Sequence, residues 1–203
     1  MNHRGPRRLI PMMLLPMLCA AALAAACAGP GRTGPYAPLT AADRDPARAQ
    51  RLTLEAADLA DQDPVRAEAL LREALTADLY HGPAHNNLGV LYLQQGRLYE
   101  AAGEFEWARK LMPGHPDPRM NLALVLERAG RIDEAIATYR TALEVYPDHL
   151  PTIQALTRIQ LMHNRADTTT PAMLEQIALR GETPAWREWA KAQRARAEAR
   201  EMP

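Results

Sequence analysis

Two histidines stand at a spacing that could support metal chemistry. His81 and His85 are four residues apart, which is the separation of two zinc ligands on one face of a helix. A glycine and a proline lie between them, so we expect that the two histidines do not share a helix face. His115 and His149 each stand two residues after a proline and are 34 residues apart. Because the chain has an internal repeat of about this length, we interpret them as equivalent loop residues. The sequence therefore predicts no metal site.

Acidic pairs and nucleophile motifs are the other possible sources of catalysis. Asp133 and Glu134 are adjacent, and we expect them in an exposed turn rather than in a cleft. The chain has neither a glycine-rich phosphate-binding loop nor a Gly-x-Ser-x-Gly nucleophile motif. We predict a protein that is not an enzyme and that uses no cofactor.

Both cysteines lie near the start of the chain. Cys19 and Cys27 are followed by no further cysteine. A disulfide framework is therefore excluded beyond Cys27, and no cysteine nucleophile is available there.

Residues 1–27 have the composition of a targeting segment. Three arginines come first, residues 9–18 are largely apolar but interrupted by two prolines, and residues 20–26 are small except for Leu23. This order is typical of a secretory signal. The apolar run is too short and too broken by proline for a comfortable membrane-spanning helix. We predict export of the protein.

The small residues before Cys27 resemble a bacterial lipoprotein box, although Ala24 stands where leucine is usual. The resemblance implies that Cys27 becomes the lipidated first residue of the mature protein. Because Ala28 follows it, the resemblance also implies an outer-membrane lipoprotein that faces the periplasm. Two alternatives remain: an ordinary cleaved signal with an incidental Cys27, or a retained anchor. Residues 28–44 are rich in Gly and Pro and predict an extended tether.

The elements that position the remaining side chains are predicted by an internal repeat with a period of about 34 residues. Residues 83–113 and 117–147 share ten positions of the same or similar type at this period. In each copy, apolar residues recur at helical spacing, and a glycine and a proline follow at fixed places. The pattern indicates helix, turn, helix and turn, twice over. Each pair leaves an apolar edge open, so pairs must stack to bury it.

Leu, Gly or Ala, Tyr or Leu, Ala, Phe or Tyr, Ala and Pro at these spacings resemble the tetratricopeptide repeat. The matching residues of the first copy are Leu88, Gly89, Tyr92, Ala101, Phe105, Ala108 and Pro113, and the second copy has their counterparts. The resemblance implies an all-α fold, an α-solenoid of stacked antiparallel helix pairs in a TPR-like superhelix. The repeat region is residues 45–181. Its two best repeats are residues 82–115 and 116–149, and residues 48–81 and 150–181 form degenerate repeats.

The end of the chain is expected to form one more helix. Residues 183–203 follow the last repeat, and Trp186 and Trp189 stand near their start. One interpretation is a cap whose tryptophans cover the open end of the stack. The alternative is a basic helix that touches lipid or a partner.

The resemblance also implies that the first helix of each pair lines a concave groove for a peptide. The candidate groove residues under this resemblance are Asn86, Asn87, Val90, Leu93, Gln94, Asp117, Met120, Asn121, Leu124, Glu127, Arg128 and Arg158. Two of the asparagines, Asn87 and Asn121, match the position that contacts a peptide backbone in many relatives. The apolar members are expected to be exposed and to suit an extended or helical peptide. The alternative is that such residues pack against the C-terminal segment and no groove is open.

Formal charge is balanced, with 24 basic and 24 acidic residues, which gives no indication of nucleic acid binding. We predict an exported, lipid-anchored scaffold that binds a protein or peptide and serves the assembly of an envelope, pilus or secretion complex. A structural adaptor without an open groove, or a regulatory module of an enzyme partner, is the alternative. The partner and the oligomeric state are not predicted.

Overall fold

The structure, a computed structural model, describes residues 44–201, and this part of the chain is helical without strands. Its helices are α1 Pro46–Leu59, α2 Pro64–Ala77, α3 Gly82–Gln94, α4 Leu98–Leu111, α5 Asp117–Arg128, α6 Ile132–Val145, α7 Leu150–Met162, α8 Thr170–Arg180 and α9 Pro184–Glu201. Within the described residues, no helix is long and apolar enough to cross a membrane. The predicted signal segment, Cys27 and tether residues 28–43 lie outside the described residues.

The first two helices begin at aspartate caps. Asp45 and Asp63 cap α1 and α2, and their carboxylates accept hydrogen bonds from the backbone N–H groups of Arg48 and Arg66 at 2.9 and 3.0 Å. A proline occupies the first helical position after each cap, where it needs no hydrogen-bond donor. Both starts are thus readable from the sequence alone.

The turns inside successive pairs are equivalent. Gly96, Gly130 and Asn164 occupy the same place in successive repeats, and all three have positive φ, 74°, 75° and 52°. The next residue in each turn donates its N–H to a carbonyl five residues back, at 2.8, 2.9 and 2.7 Å. This is the Schellman arrangement that ends a helix at a left-handed residue.

Neighbouring helices pack in pairs and the pairs stack. Helix α1 packs on α2, α3 on α4, and α5 on α6, while α3 also packs on both α1 and α5. Leu71, Phe105 and Tyr139 occupy one repeat position on the second helices, and all three are buried. The predicted all-α stack of helix pairs is confirmed.

Phe105 explains the glycine in α3. A Cβ atom on Gly89 would lie 2.7 Å from Cε1 of the Phe105 ring, closer than non-bonded carbon atoms approach. Helices α3 and α4 therefore pack closely at Gly89, because a residue with a side chain would collide with the Phe105 ring there. Ala123 and Thr157, one and two repeats later, are also fully buried.

Helix α9 covers the C-terminal end of the stack. Ala190 is fully buried, and Trp186 and Trp189 pack against the core that α5 to α8 build. The two indole rings meet edge to face with centroids 5.2 Å apart. This packing agrees with the capping interpretation of the C-terminal helix.

Candidate functional site

The predicted groove residues lie on first helices that are neighbours in space. Helix α3 carries five of them, α5 carries six, and α7 carries Arg158. Because α3 packs directly on α5, side chains from these two helices form one continuous surface.

Three asparagines form a row of carboxamides across this surface. Asn121 of α5 donates from Nδ2 to Oδ1 of Asn86 on α3, at 3.2 Å. Asn86 donates in turn to Oδ1 of Asn87, at 3.4 Å. All three side chains are partly exposed, so each keeps polar atoms that can meet a ligand.

Two clefts flank the end of this row, and Asn87 lines both. The cleft on the α1 side has a volume of about 180 Å³ and is mostly apolar. Its lining residues are Ala56, Ala57, Ala60, Leu71, Asn87, Val90 and Leu91. The cleft on the α5 side, of about 170 Å³, is more polar and is lined by Pro83, Asn86, Asn87, Met112, His115 and Asp117. Small alanines on α1 leave room beside α3, which makes the first cleft a place for an apolar side chain.

The predicted apolar lining is only partly exposed. Val90, Met120 and Leu124 are half-buried at the edge of the core. Leu93 is 5% exposed and belongs to the core, so the expectation that it faces solvent is wrong. The physical reason is that α3 is apolar on several sides, and neighbouring helices bury those sides.

Glu127 and Arg158 bind each other instead of facing an open groove. The Arg158 guanidinium donates to Oε1 and Oε2 of Glu127 at 2.6 and 2.9 Å, and so ties α7 to α5. The hydroxyl of Tyr139 donates to Oε2 of the same carboxylate at 3.1 Å. Burial, together with the nearby Glu127 charge, raises the pKa of Tyr139 well above its usual range. Tyr139 therefore stays protonated as a donor, and it belongs to the core as well as to this cluster.

Arg128 and Gln94 lie at the C-terminal ends of α5 and α3. Arg128 donates to the backbone carbonyl of Leu93 at 2.9 Å, and this carbonyl at the end of α3 also accepts from the N–H of Gly96 at 3.2 Å. Gln94 is exposed. These two groove residues lie at the rim of the surface.

Asp117 joins two of the repeat-linked histidines. His149 Nε2 lies 3.3 Å from Asp117 Oδ1, and His115 Nδ1 lies 3.6 Å from Oδ2. His149 Nδ1 is 2.7 Å from the Thr152 hydroxyl. The sequence indicates only that these histidines are loop residues. Their separation by one repeat period is the sequence signal from which their proximity could have been predicted.

The surface is closed at its C-terminal end. Gln154, on the first helix of the fourth unit, is 3% exposed. Its Nε2 has no hydrogen-bond partner among the described residues. Arg158 shares a cleft of about 290 Å³ with Trp186 and Trp189 of α9. At this end the structure matches the alternative in which the C-terminal segment covers the first helices.

The two histidines at zinc-ligand spacing differ in their surroundings. Both ring nitrogens of His85 are bonded, Nδ1 to the Glu104 carboxylate at 2.6 Å and Nε2 to the Leu79 carbonyl at 2.9 Å. His81 takes the cap position of α3, and burial lowers its pKa. Among the described residues, no group of three or more His, Cys, Asp or Glu side chains could hold a metal ion.

The acidic pair is also engaged in structure. Asp133 and Glu134 are exposed but lie in the first turn of α6, not in a loop. Glu134 binds Arg131 and Asp133 binds Arg165.

Comparison with known proteins supports the family prediction. Residues 57–116 and 86–149 match the family model described as tetratricopeptide repeat. The mouse (Mus musculus) protein "Tetratricopeptide repeat protein 8" is 28% identical over 81 residues, which are 40% of this chain and 16% of that protein. The human (Homo sapiens) protein of the same name matches over the same length, with 15% of it covered. This chain therefore spans only a small part of these relatives.

Solved structures share the fold. The structure titled "Functional Characterization of Pseudomonas Aeruginosa pilF" superposes with a TM-score of 0.67 at 19% identity, over 76% of this chain and 71% of that one. The first TPR of Spaghetti (RPAP3) bound to the HSP90 peptide SRMEEVD superposes with a TM-score of 0.56 at 17% identity. That match covers 60% of this chain and 98% of the other. At these identities, the likeness shows a shared fold.

Proposed function

We propose that the tetratricopeptide repeats of residues 57–149 bind a peptide of a protein partner on the surface of α1, α3 and α5. The observation that carries this proposal is the row of Asn86, Asn87 and Asn121, whose Asn87 end lies between two clefts. Carboxamides can both donate to and accept from a peptide backbone. They therefore suit an extended segment, and the alanine-lined cleft beside Val90 suits one of its apolar side chains.

The bound segment would cover α1, α3 and α5 and stop short of α7. Glu127 and Arg158 already neutralise each other, and the tryptophans of α9 lie beside Arg158. Binding energy at interfaces is concentrated in a few central residues. We therefore assign the main contacts to Asn87, Asn121 and Val90.

This binding surface is tested with a bulky charge in the cleft. Val90→Arg would fill the space beside Asn87 and place a cation against apolar atoms. The wild-type chain is expected to retain a partner from detergent-solubilised membranes, as identified by mass spectrometry. Val90→Arg should lose that partner while its melting temperature stays near that of the wild type.

The matched control is Tyr99→Arg, which adds the same charge at a residue of α4 that is 90% exposed. It should retain the partner. Full retention by folded Val90→Arg would show that the partner binds elsewhere, and loss by both variants would point to a general effect of charge.

We propose further that the protein is exported and lipid-anchored, and that it assists the assembly of an envelope, pilus or secretion complex. The support is the basic and apolar start of the chain and the small residues before Cys27. Stable membrane anchoring requires more than one acyl chain, which a lipidated Cys27 would supply. A scaffold held in this way at a membrane could present a partner peptide to a neighbouring complex.

The anchor is tested by Cys27→Ala, with Cys19→Ala as the matched control. Cys27→Ala is expected to abolish palmitate labelling and to move the protein from the membrane pellet to the soluble fraction. Cys19→Ala should change neither result. A wild-type protein that is unlabelled and already soluble would exclude lipidation.

A second candidate function is a structural adaptor without an open groove. The burial of Leu93 and Gln154 and the Glu127–Arg158 ion pair favour it, because these first-helix positions are closed. In that case the partner would contact the second helices, and Tyr99→Arg would be the variant that loses it.

A further inference from the structure

The outer face of α1 differs from the same face in every later repeat. Leu54 is 57% exposed, whereas its counterparts in successive repeats, Leu88, Leu122 and Leu156, are 2%, 8% and 2% exposed. The later leucines are buried because a preceding helix pair packs on that face. Helix α1 has no such pair among the described residues, so an apolar side chain that belongs to a repeat interface is left in solvent.

The residues around Leu54 complete this face. Gln50 and Ala57 lie on the same side of α1, at four and three residues from Leu54, and both are exposed. Their counterparts one repeat later, Ala84 and Leu91, are buried. The exposed face of α1 therefore corresponds to several positions that are buried between repeats elsewhere, and not to Leu54 alone.

Two charges of opposite sign flank Leu54 along this face. Arg51 lies three residues before it and Asp58 four residues after it, so both are on the same side of the helix. Both are exposed. Neither forms an ion pair with another residue in the part of the chain that the structure describes. One end of the face is thus basic and the other acidic.

We propose that a second copy of this chain docks on the outer face of α1, with its own α1 antiparallel to the first. A twofold axis beside Leu54 places Arg51 of each copy against Asp58 of the other. The small Ala57 leaves room for Leu54 of the second copy. Such an interface is isologous, because the same face serves both copies. A parallel arrangement would bring like charges together, so the charge order selects the antiparallel one.

The interface is distinct from the row of asparagines on α3 and α5, and it shares only Ala57 with the cleft beside Val90. A single helix face is small, and small interfaces are transient in solution. Two copies anchored in the same membrane, as the proposed lipidation implies, would meet at a high effective concentration.

The test uses two full-length copies with different affinity tags, expressed together and purified from a detergent extract. The readout is the fraction of the second copy that is retained with the first. Arg51→Glu in both copies sets Glu against Asp58, and Asp58→Arg in both copies sets Arg against Arg51. Each of these pairs should retain about tenfold less of the second copy than wild type, because two attractive pairs become repulsive.

When one copy carries Arg51→Glu and the other carries Asp58→Arg, both contacts across the twofold axis join opposite charges again. Retention should therefore recover relative to a pair in which both copies carry the same variant. Glu144→Arg, an exposed reversal on α6, is the control and should leave retention unchanged. Raising the salt concentration should reduce wild-type retention. A wild-type pair that does not co-purify, or single variants that co-purify as wild type does, would overturn the proposal.

Disulfide trapping provides a second measurement that is independent of affinity. Arg51→Cys in one copy and Asp58→Cys in the other should give a cross-linked dimer under mild oxidation. Two copies of either variant alone place the substituted positions about 10 Å apart along the helix axis, too far for a disulfide. Equal cross-linking in all three combinations, or none in the mixed pair, would contradict the antiparallel docking.

Discussion

Gly89 and Gly103 offer a matched pair of substitutions that tests the packing between α3 and α4. Both are glycines inside helices. A Cβ on Gly89 would meet three atoms of the Phe105 ring, at 2.7, 2.9 and 3.0 Å. A Cβ on Gly103 would meet nothing within 4 Å. The same change to alanine therefore adds a methyl group to a filled space in one case and to solvent in the other.

The expected changes in the free energy of unfolding have opposite signs for the two variants. Alanine in place of glycine inside a helix gains about 0.5–1 kcal/mol. That gain is all that Gly103→Ala changes, so its free energy of unfolding should rise by this amount. Extra volume in a packed core costs about 1–3 kcal/mol, and the Phe105 ring is fully buried and cannot swing into solvent. We expect Gly89→Ala to lower the free energy of unfolding by roughly 1–2 kcal/mol.

Thermal and urea unfolding of the two variants and the wild type measure this difference. For a domain of this size, 1 kcal/mol shifts the melting temperature by about 2–4 °C. Gly89→Ala combined with Phe105→Leu should recover part of the loss, because the smaller side chain leaves room for the methyl group. An increase in stability for Gly89→Ala equal to that of Gly103→Ala would refute the close contact between these helices.

Three further changes test other parts of the fold. Phe105→Ala should lower the free energy of unfolding by about 3–5 kcal/mol, as large core truncations do, and a melting temperature within a degree or two of wild type would contradict the repeat register. Gln154→Met should raise the melting temperature in calorimetry, because it removes a buried Nε2 without a partner among the described residues; a lower value would show that this amide is satisfied. Hydrogen bonds from Thr169 hold the pKa of Asp167 well below its usual range, with Arg140 adding to the effect. The contribution of Asp167 to the free energy of unfolding is therefore present at neutral pH and is lost as the pH falls below the ordinary range of an aspartate. Asp167→Asn should lower stability at pH 7 and have a smaller effect in acid. An equal loss of stability at both pH values would exclude this role of the Asp167 charge.

Local signals in the sequence were sufficient for the elements of the fold. The Asp-Pro starts of α1 and α2, the left-handed turns at Gly96, Gly130 and Asn164, and the spacing within each repeat all act over a few residues. Their effects depend on backbone geometry and helix propensity, which need no distant partner. The equivalent positions of Phe105 and Tyr139 followed from the repeat period.

Whether a first-helix residue is buried, exposed or paired depends on which helices pack around it, and the sequence pattern does not give that packing. Leu93 satisfies the same periodicity as an exposed groove residue, but it is buried because α3 is covered on several sides. Glu127 and Arg158 are far apart in the chain and become an ion pair only when α5 and α7 stack. Asp167 lies where the repeat pattern fails, yet it organises the turn before α8 by accepting hydrogen bonds from Arg140, Gln160 and Thr169.

What the sequence determined by itself was therefore the helices, their turns and the period at which they repeat, because local backbone preferences and side-chain spacing are sufficient for these. Only the tertiary structure decided which first-helix residues remain accessible, among them Asn86, Asn87 and Asn121 but not Leu93. It also decided that Leu54 is exposed while its counterparts are buried. Burial depends on which helix packs on a given face, and a repeat pattern is the same whether or not that neighbour is present.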